Sequence, residues 1–164
     1  MRNKQKGFSL IELLIVVAII LIIAAIAIPN LIRSKMAANE ASAVATLRTI
    51  NTAEVVYSST YNVSTVFGSL AQLSDAGSPA ACAAGAAPPT SANACLIDSA
   101  IENAGNPPGK SGYLLTVTLA SSGYASHNNP AQPGSTGVRY FYSDQSLVIR
   151  QNGTAAATST DSPI

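Results

Sequence analysis

The chain has 164 residues, a formal net charge of +1 and only 10% charged residues. That balance argues against nucleic acid as an obligate partner, because a polyphosphate asks for a basic patch. The length suits one small domain plus an accessory segment, and beyond residue 32 the chain is rich in Ala, Ser, Thr, Gly and Pro, so any core there is small.

Residues 1–6 carry Arg2, Lys4 and Lys6 and no acid, and Gly7 and Phe8 come next. From Phe8 to Ile32 the only charged residue is Glu12. Residues 13–32 are uncharged, and a helix of about twenty such residues spans roughly 30 Å, enough to cross a bilayer. Basic residues ahead of the span place the N-terminus in the cytoplasm and export the chain beyond the span. A secretory signal peptide would have a shorter apolar run and a small-residue cleavage site, which Ala24, Ala25 and Ala27 mimic. A plain anchor fits the length. Both readings leave Glu12 unexplained, since a carboxylate in hydrocarbon is costly and marks a partner or a function.

The string Gly7-Phe8-Ser9-Leu10-Ile11-Glu12-Leu13-Leu14, continued by Ala24-Ala25-Ile26-Ala27-Ile28-Pro29-Asn30, resembles the class III signal of type IV pilins and related pseudopilins. The resemblance covers about the first 60 residues well and the rest only in architecture. It implies a leader, residues 1–7, removed after Gly7 by a membrane peptidase on the cytoplasmic side. The same enzyme would methylate the new amine of Phe8. Residues 8–32 would stay in the mature chain as a transmembrane and assembly helix. The resemblance also implies that Glu12 pairs with the N-terminal amine of a neighbouring subunit. In a surrounding of low dielectric such a pair recovers much of the cost of burying the carboxylate, and it sets axial register. Pro29 lacks the amide hydrogen and should kink or locally open the helix. Family members often carry glycine at the position of Leu21; leucine, a good helix former, predicts less melting here.

Past Arg33 the pattern turns amphipathic. Val44, Leu47, Ile50, Tyr57 and Tyr61 form an apolar stripe, with Arg33, Lys35, Glu40, Arg48 and Glu54 assigned to the remainder. One helix is expected from residue 8 to about 61, its second half, residues 33–61, packed on a globular head formed by residues 62–164. Residues 62–110, with prolines at 79, 88, 89, 107 and 108, read as a long irregular connection pinned by Leu70, Leu73, Leu96 and Ile97. Cys82 and Cys95 are an even count in a chain that looks exported and read as one disulfide. Closing a loop of roughly 14 residues should stabilise by about 3 kcal/mol.

Residues 111–151 read as an antiparallel sheet of three or four strands. Tyr113, Leu115, Val117 and Leu119 alternate along a first strand. Residues 121–123 turn, 124–126 begin a short return strand, and 127–137 read as loop. Residues 138–143 form the next strand, 144–146 turn, and 147–150 pair back. Residues 152–164 read as a loose polar tail. The fold class is therefore α+β, the ladle-shaped subunit that the resemblance implies.

No catalytic constellation is visible. Asp75, Asp98, Glu102, Asp144 and Asp161 are scattered around a lone His127, and two isolated cysteines lack the pairing of a zinc site, so neither enzyme, metal nor cofactor is expected. The expected product is a structural subunit. It begins as a bacterial inner-membrane precursor and ends in an extracellular type IV pilus that serves adhesion or twitching motility. The partners are identical subunits, the prepilin peptidase and an inner-membrane assembly platform. One alternative is a pseudopilin of a type II secretion system. The major pseudopilins show a carboxylate-rich calcium site near the C-terminus, where this chain has only Asp144 and Asp161. The other is a membrane-anchored monomeric display domain.

Overall fold

The structure is a computed structural model that describes residues 7–61, 67–75, 82–83 and 88–164. The basic residues of the leader, 1–6, and the proline at 79 lie outside the described residues. The chain forms two compact units, Met1–Lys35 and Met36–Ile164. Helix α1, Leu10–Tyr61, contributes to both.

In the first unit Leu and Ala favour helix, β-branched Ile and Val less so, and the backbone stays helical on both sides of Pro29. The expected local opening at Pro29 is therefore absent. Proline removes only one donor, the one that would meet the Ala25 carbonyl, and the turns on either side stay helical. The large apolar residues from Phe8 to Ile32 are all exposed or nearly so, and the segment has a mean hydropathy of 3.3 over eighteen residues.

In the second unit α1 lies on a five-stranded antiparallel meander in the order β1-β2-β3-β4-β5: Tyr113–Ala120, Gly123–Pro130, Tyr140–Asp144, Arg150–Asn152 and Ser162–Pro163. The α+β class stands, and the sheet gains a strand from the tail. Tyr113, Leu115, Tyr124 and Phe141 point into a core with Ala43, Leu47, Ile50, Ala53 and Tyr57 of α1. Two short helices, α2 (Leu70–Leu73) and α3 (Ser99–Glu102), add Leu73 and Ile101, and a 3-10 turn (Asn103–Gly105) comes directly after α3. Ser69 and Gln72 cap α2 reciprocally, and Asp98 caps α3 by accepting from the Ile101 N–H. Leu73 and Ile97 are buried, with Leu70 and Leu96 packed beside them, as expected of the pinning residues.

Three expectations for the sheet are corrected. The return strand runs to Pro130 rather than ending at residue 126. Its His-Asn-Asn-Pro end has poor strand propensity, but Asn128 Nδ2 donates to the Ala43 carbonyl of α1 (3.1 Å), and Pro130 sits where β2 needs no donor, opposite Tyr113. The pairing after the turn at 145–146 starts at Arg150, not 147, because Leu147 adopts a positive φ of 63° while its N–H closes the turn onto the Asp144 carbonyl. Residues beyond 152 are anchored rather than loose. Asp161 accepts from Asn152 Nδ2 and from the Thr158 N–H and hydroxyl, Ala157 is buried, and Ser162–Pro163 pairs with β4.

Candidate functional site

The N-terminal segment concentrates the unusual residues. Gly7, Phe8 and Ser9 precede the helix, and all are exposed. The Ser9 carbonyl accepts the first helical bond, from Leu13 N–H at 3.3 Å, which makes Ser9 the N-cap. Glu12, at the third helical position, turns its carboxylate back onto the Ser9 N–H at 2.9 Å. Ser-Leu-Ile-Glu thus makes the acidic half of a capping box, and the negative charge sits at the positive end of the helix dipole. One carboxylate oxygen of Glu12 is satisfied by backbone. Among the described residues no cation pairs with it, so its charge stays available. Among the described residues a Cβ at Gly7 would meet nothing within 4 Å.

Cys82 and Cys95 form a disulfide, with Cα atoms 5.6 Å apart. Its Cys95 end is fixed by backbone: Ala94 N–H donates to the Gln72 carbonyl and Leu96 N–H to the Leu73 carbonyl, at 2.8 and 2.7 Å. The bridge therefore ties residue 82 to a segment already docked on α2.

The head holds polar groups that the periodicity assigned to the outside. Glu40 and Glu54 are both buried. Glu40 accepts from the Arg139 guanidinium at 2.8 Å and from the Val138 and Arg139 N–H groups. Burial alone would push its carboxyl up, but those donors and the guanidinium together hold it below the usual range. Glu54 is 0% exposed; one oxygen accepts from the Gly68 N–H at 2.8 Å and the other has no partner among the described residues. Burial pushes its carboxyl up to about 7 against the pull of that one bond. Both residues were legible in principle. Glu40, Ala43, Leu47, Ile50, Glu54 and Tyr57 share one 3–4 spacing, so the two acids lie in phase with the core stripe. Asn51 completes the helix–sheet link, donating to Ser143 Oγ (2.8 Å) and accepting from the Tyr124 hydroxyl (2.9 Å).

His127 lies on β2, not in a loop. Its ring packs edge-on against Tyr142, with centroids 5.1 Å apart, and it hydrogen-bonds the Ala157 backbone. Burial pulls its pKa down against the opposing effect of that bond. Asp144 accepts from the Tyr142 hydroxyl and the Ser146 N–H, and no three His, Cys, Asp or Glu side chains converge among the described residues.

Residues 2–28 match the family model described as the prokaryotic N-terminal methylation motif, which sets the class of the segment just described. Two relatives name the setting in which such a segment occurs. The chain is 62% identical over 40 residues, 24% of its length, to the type IV wide pilus major component PilA4 of Thermus thermophilus. Over 51 residues, 31% of its length, it is 49% identical to the type IV major pilin protein PilA of Myxococcus xanthus. It covers 30% of the first relative and 23% of the second, so the likeness concerns less than a third of each chain. No solved structure matches the chain.

Proposed function

We propose that the chain is a prepilin, a structural subunit of a type IV pilus. The observation that carries this reading is an exposed apolar segment, residues 8–32, whose sole carboxylate, Glu12, lacks a cation among the described residues, close after the Gly7–Phe8 junction. A monomer in water cannot leave that much apolar surface open. A membrane covers it first, and a bundle of identical helices covers it later. In the precursor the basic leader holds the N-terminus in the cytoplasm. A prepilin peptidase cleaves after Gly7 and methylates the Phe8 amine. Glu12 then pairs with the amine of a neighbouring subunit at the assembly platform, and the subunit passes from the inner membrane into an extracellular filament. Pro29, which leaves the Ala25 carbonyl without its donor, is where the assembled helix bends. Adhesion or twitching motility would belong to the filament as a whole.

The test uses cells that make the full chain with Glu12 or with Glu12→Ala. Filaments are sheared from the surface and the N-terminal mass of the subunit is taken. Subunits starting at methylated Phe8, with filaments lost in the variant, support the reading. A full-length chain held in the membrane, without filaments and indifferent to Glu12, overturns it in favour of an anchored display domain.

A further inference from the structure

Strand β1 is an edge of the sheet, with β2 on one side only. Its ladder pairs Tyr113 with Pro130 and Ala120 with Gly123. Just before it, the Ala131 N–H donates to the Gly112 carbonyl at 2.9 Å, so the even-numbered residues bond towards β2. Tyr113, Leu115, Val117 and Leu119 therefore turn their N–H and C=O groups outward. Those of Tyr113 are taken by Lys110. The Leu115 carbonyl is covered by the 3-10 turn, where a Cβ on Gly105 would stand 2.9 Å away. Val117 and Leu119 have no backbone partner on that side among the described residues.

From Thr116 to Ala120 the strand is exposed apart from half-buried Val117, and Leu119 is 39% exposed. Edges of this kind are usually guarded by charge, proline or a bulge. Residues 111–122 contain no charge and no proline, and the ladder runs without a bulge.

We infer that the open half of β1 binds the same strand of a second copy, the two running antiparallel about a two-fold axis at Thr118. In that register Val117 faces Leu119 of the second copy and Leu119 faces its Val117. Each pair exchanges two hydrogen bonds, so all four open backbone groups on each edge are used. Three features select an identical strand. Neither edge carries charge, so like meets like without repulsion. The open stretch is closed at one end by Gly105 and at the other by the turn at Ser121–Ser122, which limits a partner to the same short length. Thr118 meets Thr118, a favourable cross-strand pair. Neighbours related by a filament's screw axis share no such two-fold, so the pairing links heads of separate filaments or of unpolymerised chains. It needs only two heads and does not rest on the pilus reading.

Thr118→Cys tests it in the full chain held in detergent. The native cysteines are bonded to each other, so the introduced thiol is the only free one. On mild oxidation it should form a covalent dimer. Ser122→Cys, four residues from the axis and about 27 Å from its mate in this register, should not. Adding Leu119→Pro removes two of the four hydrogen bonds without touching the ladder to β2, and should lower the crosslinked fraction about tenfold. If the proline lowers the melting temperature of the head, Leu119→Lys decides instead, by placing two like charges about 7–8 Å apart. Equal crosslinking at 118 and 122, which proximity within a micelle alone would give, overturns the inference. So does a covalent dimer of the Thr118→Cys chain that survives whichever of these added substitutions leaves the head folded.

Discussion

The two units use one helix in opposite ways. In Met1–Lys35 the large apolar side chains face outward and the single acid touches only backbone. In Met36–Ile164 the same helix buries Leu47, Ile50 and Tyr57, and buries Glu40, Glu54 and Asn51 with them. The second unit carries its own core, whereas the first has none and depends on a surrounding that the chain alone does not supply. The contrast separates what a substitution can damage: folding in one unit and, on the proposed reading, membrane residence or assembly in the other.

The largest effect should come from Phe141→Ala, which empties the centre of the second unit. It should cost about 3–5 kcal/mol of head stability in denaturant titration. Ile22→Ala, in the exposed segment, should leave that midpoint where it was, and a matching loss would erase the contrast. Reducing the Cys82–Cys95 bridge should cost about 2–4 kcal/mol, read as a drop in melting temperature under a thiol reductant.

Glu54 should make head stability depend on pH. Its carboxyl is raised to about 7 in the folded chain from an ordinary 4.5, so the folded state holds the proton longer. Its contribution is fully present below about pH 4.5 and is lost as pH rises to about 7, a change on the order of 3 kcal/mol. Glu54→Gln should remove that slope and stabilise the head at pH 8, measured by chemical unfolding across the range. Glu40 has the opposite sign. Its lowered carboxyl stabilises above the ordinary value and loses that contribution as the solution is acidified through the lower, folded one. Arg139→Ala should cost only about 1 kcal/mol, because the guanidinium is half exposed and screened.

The sequence made some of this legible and hid the rest. The long helix, the strand Tyr113–Ala120 and the disulfide follow from periodicity and cysteine count, because each is a local or pairwise signal. The extent of β2 was hidden, since His127 and Asn128 gain their place from long-range contacts to α1 and β3. The tail was hidden for a related reason. A two-residue strand and one buried alanine leave no pattern. The candidate segment was legible in its composition, and the Ser9–Glu12 cap follows from the Ser-x-x-Glu spacing once the helix start is known.

The order of the sheet bears on how the head comes into being. Every strand pairs with the strand made just before it, so no strand waits for a distant mate. A chain emerging from a ribosome or a translocation channel can zip this meander from its first hairpin onward, each strand being the template for the next. Such sequential closure keeps loop-closing costs low and the time with unpaired edges short. The two-residue strand β5 comes after the other four and seals the far side of the sheet.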